Sequence, residues 1–201
     1  MTSEIDNAVP HDIRNDTGGW LVQVEASQAW FRRRVLPLSI EQLRWRPEAA
    51  HWSIAECLDH LNLTLELYLP KIDDAIARGG PHSSLAECAR CGRAELDALR
   101  LFEPPVSVSA AAPSCTLPAA VIDVDRLVEH FHRARDRYSV AVRRAIGLDL
   151  RHIVVIEPVY PMIVTLGGTF ALIAAHDRRH MWQAERVRQS QRFPRAAFAQ
   201  Y

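Results

Sequence analysis

Hydrophobic residues recur at helical spacing in four long segments of the chain, and each segment predicts an amphipathic helix. The first runs from about Asp16 to Val35 and ends before Pro37. The second, "HWSIAECLDHLNLTLELYLPKIDDAIARGG", begins with Ser53 as N-cap, and Glu56 three residues later completes a capping box. A glycine pair ends it, so both of its boundaries can be predicted.

The third segment, "DVDRLVEHFHRARDRYSVAVRRAIG", begins at Asp123 or Asp125 and closes at a glycine. The fourth extends from about Thr165 to Gln189. Pro70 inside the second helix predicts a kink or a local break there. Strand signals are weak. Two prolines interrupt the β-branched run "HIVVIEPVYPMIVT", and we interpret that run as an extended connection.

Four amphipathic helices in one chain predict an all-α fold, a four-helix bundle. The length of 201 residues suits one domain, residues 1–201, with a helical core over about 16–194. Residues 79–122 separate the second and third helices, and connections this long are usually functional or mobile. Within that connection, "SSLAECARCGRAELDALRLF" predicts a short helix.

The composition of the chain argues against a nucleic-acid-binding, membrane-spanning or secreted protein. Basic and acidic residues number 24 each and are interleaved, without the basic stripe expected of a nucleic-acid-binding protein. The chain holds no 18-residue apolar run and starts with a polar, acidic stretch, which predicts neither a membrane span nor a secretory signal. Four scattered cysteines favour a reducing cytoplasm. Cys88 and Cys91 form one C-x-x-C without a second pair, a weak signal for metal or redox chemistry.

The segment "HDRRH" places His176 and His180 four residues apart on the core-facing side of the fourth helix, where both rings can reach one ion. Buried imidazoles need partners, either hydrogen bonds to carboxylates and backbone or a shared metal. A third ligand is required for the metal, and His60, on the flank of the second helix, is the best placed of the remaining histidines. A zinc-protease motif is excluded, since Asp177 stands at the position of the general base and His180 is the last histidine.

Two stretches together resemble the DinB/YfiT-like superfamily of bacterial four-helix-bundle proteins. "HWSIAECLDHLN" contains Trp52, Ser53 and His60, and "HDRRHMWQAERV" contains His176 and His180, in the family's order and spacing. The resemblance covers about residues 20 to 194. It implies a long crossover between helices two and three, and a divalent metal ion held by the three histidines. It favours zinc or nickel, with iron or manganese as alternatives, and makes a homodimer plausible.

Three histidine ligands leave a coordination position for water or substrate, the pattern of catalytic metal sites. A bound divalent ion lowers the pKa of water or stabilises a thiolate nucleophile. Because members of the family include metal-dependent hydrolases and transferases that use low-molecular-weight thiols, our first hypothesis is an enzyme of either kind acting on a small molecule. The alternative is a non-catalytic metal-binding or structural bundle.

Helical spacing suggests three supporting or catalytic candidates around this site. Asp177 is placed to orient His180 or act as a base, and Gln183 to hydrogen-bond a metal-bound water. Glu56 lies four residues before His60, although capping of the second helix is its alternative role.

Overall fold

The computed structural model describes most of the chain, in residues 15–80, 99–100, 102–106, 111–159 and 163–195. This part is mostly helical, with a small two-stranded sheet. Its elements in order are α1 (Thr17–Arg34), α2 (Ile40–Arg44), α3 (Ile54–Arg78), the 3-10 helix η1 (Ser114–Thr116), α4 (Val124–Arg144), β1 (Val154–Ile156), β2 (Ile163–Thr165) and α5 (Leu166–Arg188). The four segments predicted from periodicity are therefore α1, α3, α4 and α5.

The helix starts follow the predicted caps. The Ser53 hydroxyl accepts the Glu56 amide at 3.2 Å, and the Glu56 carboxylate accepts the Ser53 amide at 2.8 Å, so the capping box of α3 is confirmed. Of the two candidates for α4, Asp123 is the cap. A break at Pro70 is wrong, because α3 continues through it to Arg78. Leu69 before it and Ile72 after it pack in the core, and that packing outweighs one missing helical hydrogen bond.

The four long helices pack so that α1 and α3 each contact both α4 and α5. Two groups of buried side chains fill the space between them. The larger members of the first include Trp20, Tyr68, Tyr138 and Phe170, and those of the second include Trp30, Phe31, Phe131 and Met181. Each helix therefore directs its apolar stripe inward, as its periodicity predicts.

The segment before α5 differs from the prediction. It forms an antiparallel hairpin in which Val154 pairs with Thr165 and Ile156 with Ile163, and is not merely an extended connection. Both prolines lie between the strands in the sequence, outside the paired residues. The short helix α2 was not predicted, although Ser39 starts it with a capping box.

The structure departs from the sequence pattern at the end of the third segment, and another prediction falls outside the described residues. Ile146 continues the apolar spacing of the third predicted segment in the sequence but is 58% exposed, because α4 ends at Arg144 and the chain turns away. Cys88, Cys91 and nearly all of the predicted short helix lie outside the described residues. None of the helices that are described carries an apolar stretch able to span a lipid bilayer.

Candidate metal centre

Three histidines from two helices converge in the core. His60 comes from α3, and His176 and His180 come from successive turns of α5. Their nearest ring nitrogens all lie within 4.8 Å of one another. The Nε2 atoms of His60 and His176 are 3.1 Å apart, and the His176 and His180 ring centroids are 4.5 Å apart. The structure thus brings together the three residues selected from the sequence.

Two of the rings are held in the tautomer that a metal requires. His60 Nδ1 donates to the carbonyl oxygen of Thr116 at 2.7 Å, and His180 Nδ1 donates to Gln183 Oε1 at 3.0 Å. With the proton on Nδ1, the Nε2 lone pair of each ring is available as a ligand. Gln183 therefore contacts the site as foreseen, but its partner here is the ring of His180 rather than a water.

The surroundings keep all three imidazoles neutral. Burial is the main cause that lowers the pKa of His60, brings that of His176 to about 3 and places that of His180 well below its usual range. The Arg179 guanidinium depresses each of these pKa values further. Neutral imidazole is the form that binds metal, so the cluster needs to lose no proton before it coordinates an ion at neutral pH.

The separation of one donor pair fits a shared divalent ion. With metal–nitrogen distances near 2.1 Å, two ligands of a tetrahedral ion lie about 3.4 Å apart and two adjacent ligands of an octahedral ion about 3.0 Å apart. The 3.1 Å between His60 and His176 lies between these values. Within the described part of the chain, no carboxylate or thiol joins the group. The three histidines can hold a metal ion whose remaining positions are filled from outside the group.

Access to the cluster is uneven. His60 and His180 are buried, whereas His176 is only half-buried. Trp52 covers the other two, with its ring centroid 4.9 Å from His60 and 5.8 Å from His180. Of the three rings, His176 is therefore the most exposed, and the indole covers the other two. In the sequence Trp52 entered only through the family resemblance, so its position over two of the ligands was not predicted.

The end of the long connection, which contains η1, also contacts the histidine cluster. In addition to the Thr116 carbonyl on His60, the amide of Ala119 donates to the Asp59 carboxylate at 2.9 Å. Two adjacent residues of α3 thereby fix the segment that carries η1. Sequence patterns could not find Thr116, because its contribution is a backbone carbonyl that any residue would supply.

The two acidic candidates make other contacts. The Asp177 carboxylate accepts from Arg135 at 2.9 Å and from the Ser27 hydroxyl at 3.3 Å, both buried in the core. Glu56 pairs with Arg46 and closes the cap of α3. Neither carboxylate has a hydrogen bond to a histidine of the cluster among the contacts found in the described residues, and both anchor the helices that carry the ligands.

Comparison with known proteins agrees with this geometry. The family model for the DinB superfamily matches residues 23–184, which include all three histidines and most of the helical core. No curated protein and no solved structure matches the chain significantly. A match over this much of the chain is decisive for its classification, and the protein belongs to the DinB superfamily.

Proposed function

We propose that this protein is a divalent-metal-dependent enzyme that acts on a small molecule, as a thiol-dependent S-transferase or a hydrolase. The observation that carries the proposal is the convergence of His60, His176 and His180 as neutral ligands, of which His176 is only half-buried. Three protein ligands and an accessible fourth position are characteristic of catalytic sites, whereas structural zinc sites use four protein ligands. We favour zinc or nickel as the metal, with iron or manganese as alternatives.

The proposal includes the architecture around the site. We propose a four-helix bundle formed by α1, α3, α4 and α5, in one domain over residues 1–201, with residues 79–122 as a crossover. The contacts of α1 and α3 with both α4 and α5 support this arrangement. A homodimer, a cytoplasmic location and the absence of a nucleic-acid partner remain predictions from the sequence.

The residues around the ion have distinct tasks. When bound, the metal supplies a Lewis acid that activates water or stabilises a thiolate. Gln183 and the Thr116 carbonyl hold two of the ligand rings in position. Trp52 keeps water from one side, which strengthens electrostatic interactions within the site. Asp177 and Glu56 support the helices, so neither is our choice for the general base.

The alternative is a non-catalytic bundle in which the metal only stabilises the fold. The burial of His60 and His180 beneath Trp52 favours it, since a structural ion needs no access. The two functions make different predictions about access to the ion at the half-buried His176. A structural site predicts that the metal raises stability and that no exogenous ligand reaches the ion.

Purification with supplied metal, followed by elemental analysis, tests the proposal. We expect about one equivalent of divalent metal in the wild type and loss of most of it in His176→Ala, because two imidazoles bind an ion far less tightly than three. His152→Ala, at an exposed histidine beside the hairpin, is the matched control and should keep its metal. Activity is then followed with two probes, conjugation of 2-mercaptoethanol to 1-chloro-2,4-dinitrobenzene and hydrolysis of 4-nitrophenyl acetate. Metal retention with neither activity would favour the structural alternative, and absence of metal would refute the enzyme and leave only a bundle in which the buried histidines are structural.

A further inference from the structure

Thr64 on α3 carries a buried hydroxyl that finds no hydrogen-bond partner among the described residues. Two other buried side-chain atoms in that part of the chain are unpaired, Trp20 Nε1 and Arg135 Nε. The Trp20 indole packs in the apolar core, and Arg135 is held through its other two nitrogens. Of the three residues, only Thr64 lies on a helix that supplies a histidine of the cluster. Because a buried hydroxyl is unfavourable without a hydrogen bond, Thr64 is a candidate contact for a bound ligand.

A threonine in a helix ordinarily bonds its own backbone, and Thr64 departs from this behaviour. The usual partner of the hydroxyl is the carbonyl oxygen one turn earlier in the helix. Thr169 in α5 makes this bond, since its Oγ1 donates to the Thr165 carbonyl oxygen at 2.9 Å. At Thr64 the corresponding carbonyl is that of His60, and the bond is not made. The Thr64 hydroxyl is therefore available to a group outside its helix.

The register of α3 places Thr64 beside the cluster. His60 and Thr64 are one turn apart, which separates them by about 6 Å along the helix axis and by about 40° around it. Helical side chains lean towards the N-terminus of their helix, so the side chain of Thr64 leans towards the turn that carries His60. Trp52, which precedes α3, contacts the His60 ring from the other direction along the helix.

The direction of α5 brings the half-buried ligand to the same side. The start of α3 and the end of α5 share one group of core residues, and the end of α3 and the start of α5 share the other, so the two helices are antiparallel. Thr64 follows His60 on α3, and His176 precedes His180 on α5. In an antiparallel pair, His176 is thus the ligand on the Thr64 side of the cluster. His176 is also the most exposed of the three rings.

The histidines themselves do not use this hydroxyl. Nδ1 of His60 donates to the Thr116 carbonyl, and Nδ1 of His180 donates to Gln183. A hydroxyl offers one donor and two acceptor positions without a charge, so it can bond an anion or a neutral polar group. A molecule bound at the cluster on the side of His176 would bring such a group within its reach.

We propose that the Thr64 hydroxyl donates a hydrogen bond to the small molecule that completes the coordination of the metal, and so selects ligands with an acceptor at or beside the coordinating atom. This inference rests on the proposed function and names a residue that contacts the substrate or co-substrate.

Azide binding to the cobalt-loaded protein tests this contact, because an anion that coordinates cobalt changes its visible absorption spectrum. Thr64→Val keeps the shape of the side chain and removes the hydroxyl. We expect it to bind azide about tenfold more weakly than the wild type, the effect of one hydrogen bond. Thr64→Ser keeps the hydroxyl and should bind azide within about twofold of the wild type, on the same basis. Both variants should take up cobalt as the wild type does, since Thr64 is not a ligand.

Thr169→Val is the matched control, because it removes a hydroxyl that is already bonded within α5. Its azide affinity should equal that of the wild type. Urea unfolding of the metal-free proteins gives a second readout. Thr64→Val should unfold at the same urea midpoint as the wild type or at a higher one, since it loses no hydrogen bond within the protein. Thr169→Val should unfold at a lower midpoint, since it loses its bond to the Thr165 carbonyl.

The outcomes separate this inference from the proposed function. Three results would overturn the inference and leave the proposed function standing: equal azide affinity in Thr64→Val and the wild type, equal weakening by valine and serine, or a lower urea midpoint of metal-free Thr64→Val. Wild-type protein that takes up no cobalt, or that holds cobalt but does not bind azide, would refute the proposed function and the inference together.

Discussion

Acidification of the metal-free protein should destabilise it through the histidine cluster. A histidine has a pKa near 6.5 in an unfolded chain, whereas burial brings that of His176 to about 3 in the folded protein. Between these two values the unfolded state binds a proton that the folded state does not. The contribution of neutral His176 to the free energy of unfolding is thus fully present above pH 6.5 and is lost progressively as the pH falls towards 3.

The size of this loss follows from the same two values. Each pH unit within the window costs about 1.4 kcal/mol for one such histidine. From pH 7 to pH 5, about one and a half units lie below 6.5, so His176 should account for about 2 kcal/mol of lost stability. His60 and His180, whose pKa values are also lowered by burial, add to the total in the same direction.

Urea unfolding at pH 7 and pH 5, in the presence of a chelator, measures the effect. Between pH 7 and pH 5, we expect the free energy of unfolding of His176→Asn to fall by about 2 kcal/mol less than that of the wild type, whatever the stability of the variant at pH 7. His152→Asn is the control, since its side chain is 77% exposed, and it should lose as much as the wild type. If His176→Asn loses as much stability on acidification as the wild type, the reasoning about a neutral, buried cluster is wrong.

Three further changes test other parts of the molecule. Arg135→Met should lower the free energy of unfolding by about 3–5 kcal/mol, because it leaves the Asp177 carboxylate buried without its cation, and Arg135→Met/Asp177→Asn should regain much of this loss. Ser53→Ala removes the N-cap of α3 and should cost about 1 kcal/mol in the same urea assay. Gln183→Ala frees the Nδ1 proton of His180 and should weaken metal binding by about 10-fold to 100-fold in competition with a chelating dye.

Controls for these variants come from the same chain. Ser53→Thr keeps a capping hydroxyl and should be nearly as stable as the wild type, and equal damage from threonine and alanine would argue against the cap. Gln189→Ala, at an exposed glutamine that ends α5, should retain full metal affinity. A double variant of Arg135 and Asp177 no more stable than the single one would show that the unpaired carboxylate is not the cause.

The long helices were predictable because their determinants are local. Ser53, Asp123 and Thr165 each cap a helix at the predicted place, and the apolar period identifies the buried face. The ligands on α5 were foreseen for the same reason, since the register of the helix places His176 and His180 on one side. The position of His60 on the flank of its helix only suggested it as the third ligand, and the family resemblance supported it, because only the packing of α3 against α5 brings it to the other two.

What the sequence could not show depends on packing between distant residues. Asp177 is close to the cluster in sequence, yet Arg135 on another helix directs its carboxylate into the core. Trp52 directly precedes the N-cap of α3 in the sequence, but the fold places its indole over two ligands. The hairpin was missed because its strands are three residues each and its prolines lie between them, so the run carries little periodicity.

The hydrogen bond from His60 to Thr116 has a consequence for both of its ends. A metal ion that fixes the His60 ring also fixes the Thr116 carbonyl, to which Nδ1 of the same ring donates. The bond from the Ala119 amide to Asp59, the residue before His60, holds the same segment. Thermodynamic linkage makes this coupling reciprocal. If the bound ion raises the equilibrium constant for docking of residues 116–119 by some factor, docking of these residues raises the affinity for the ion by the same factor. A substitution in that segment, or a ligand that displaces it, would thus change metal occupancy without touching any coordinating atom.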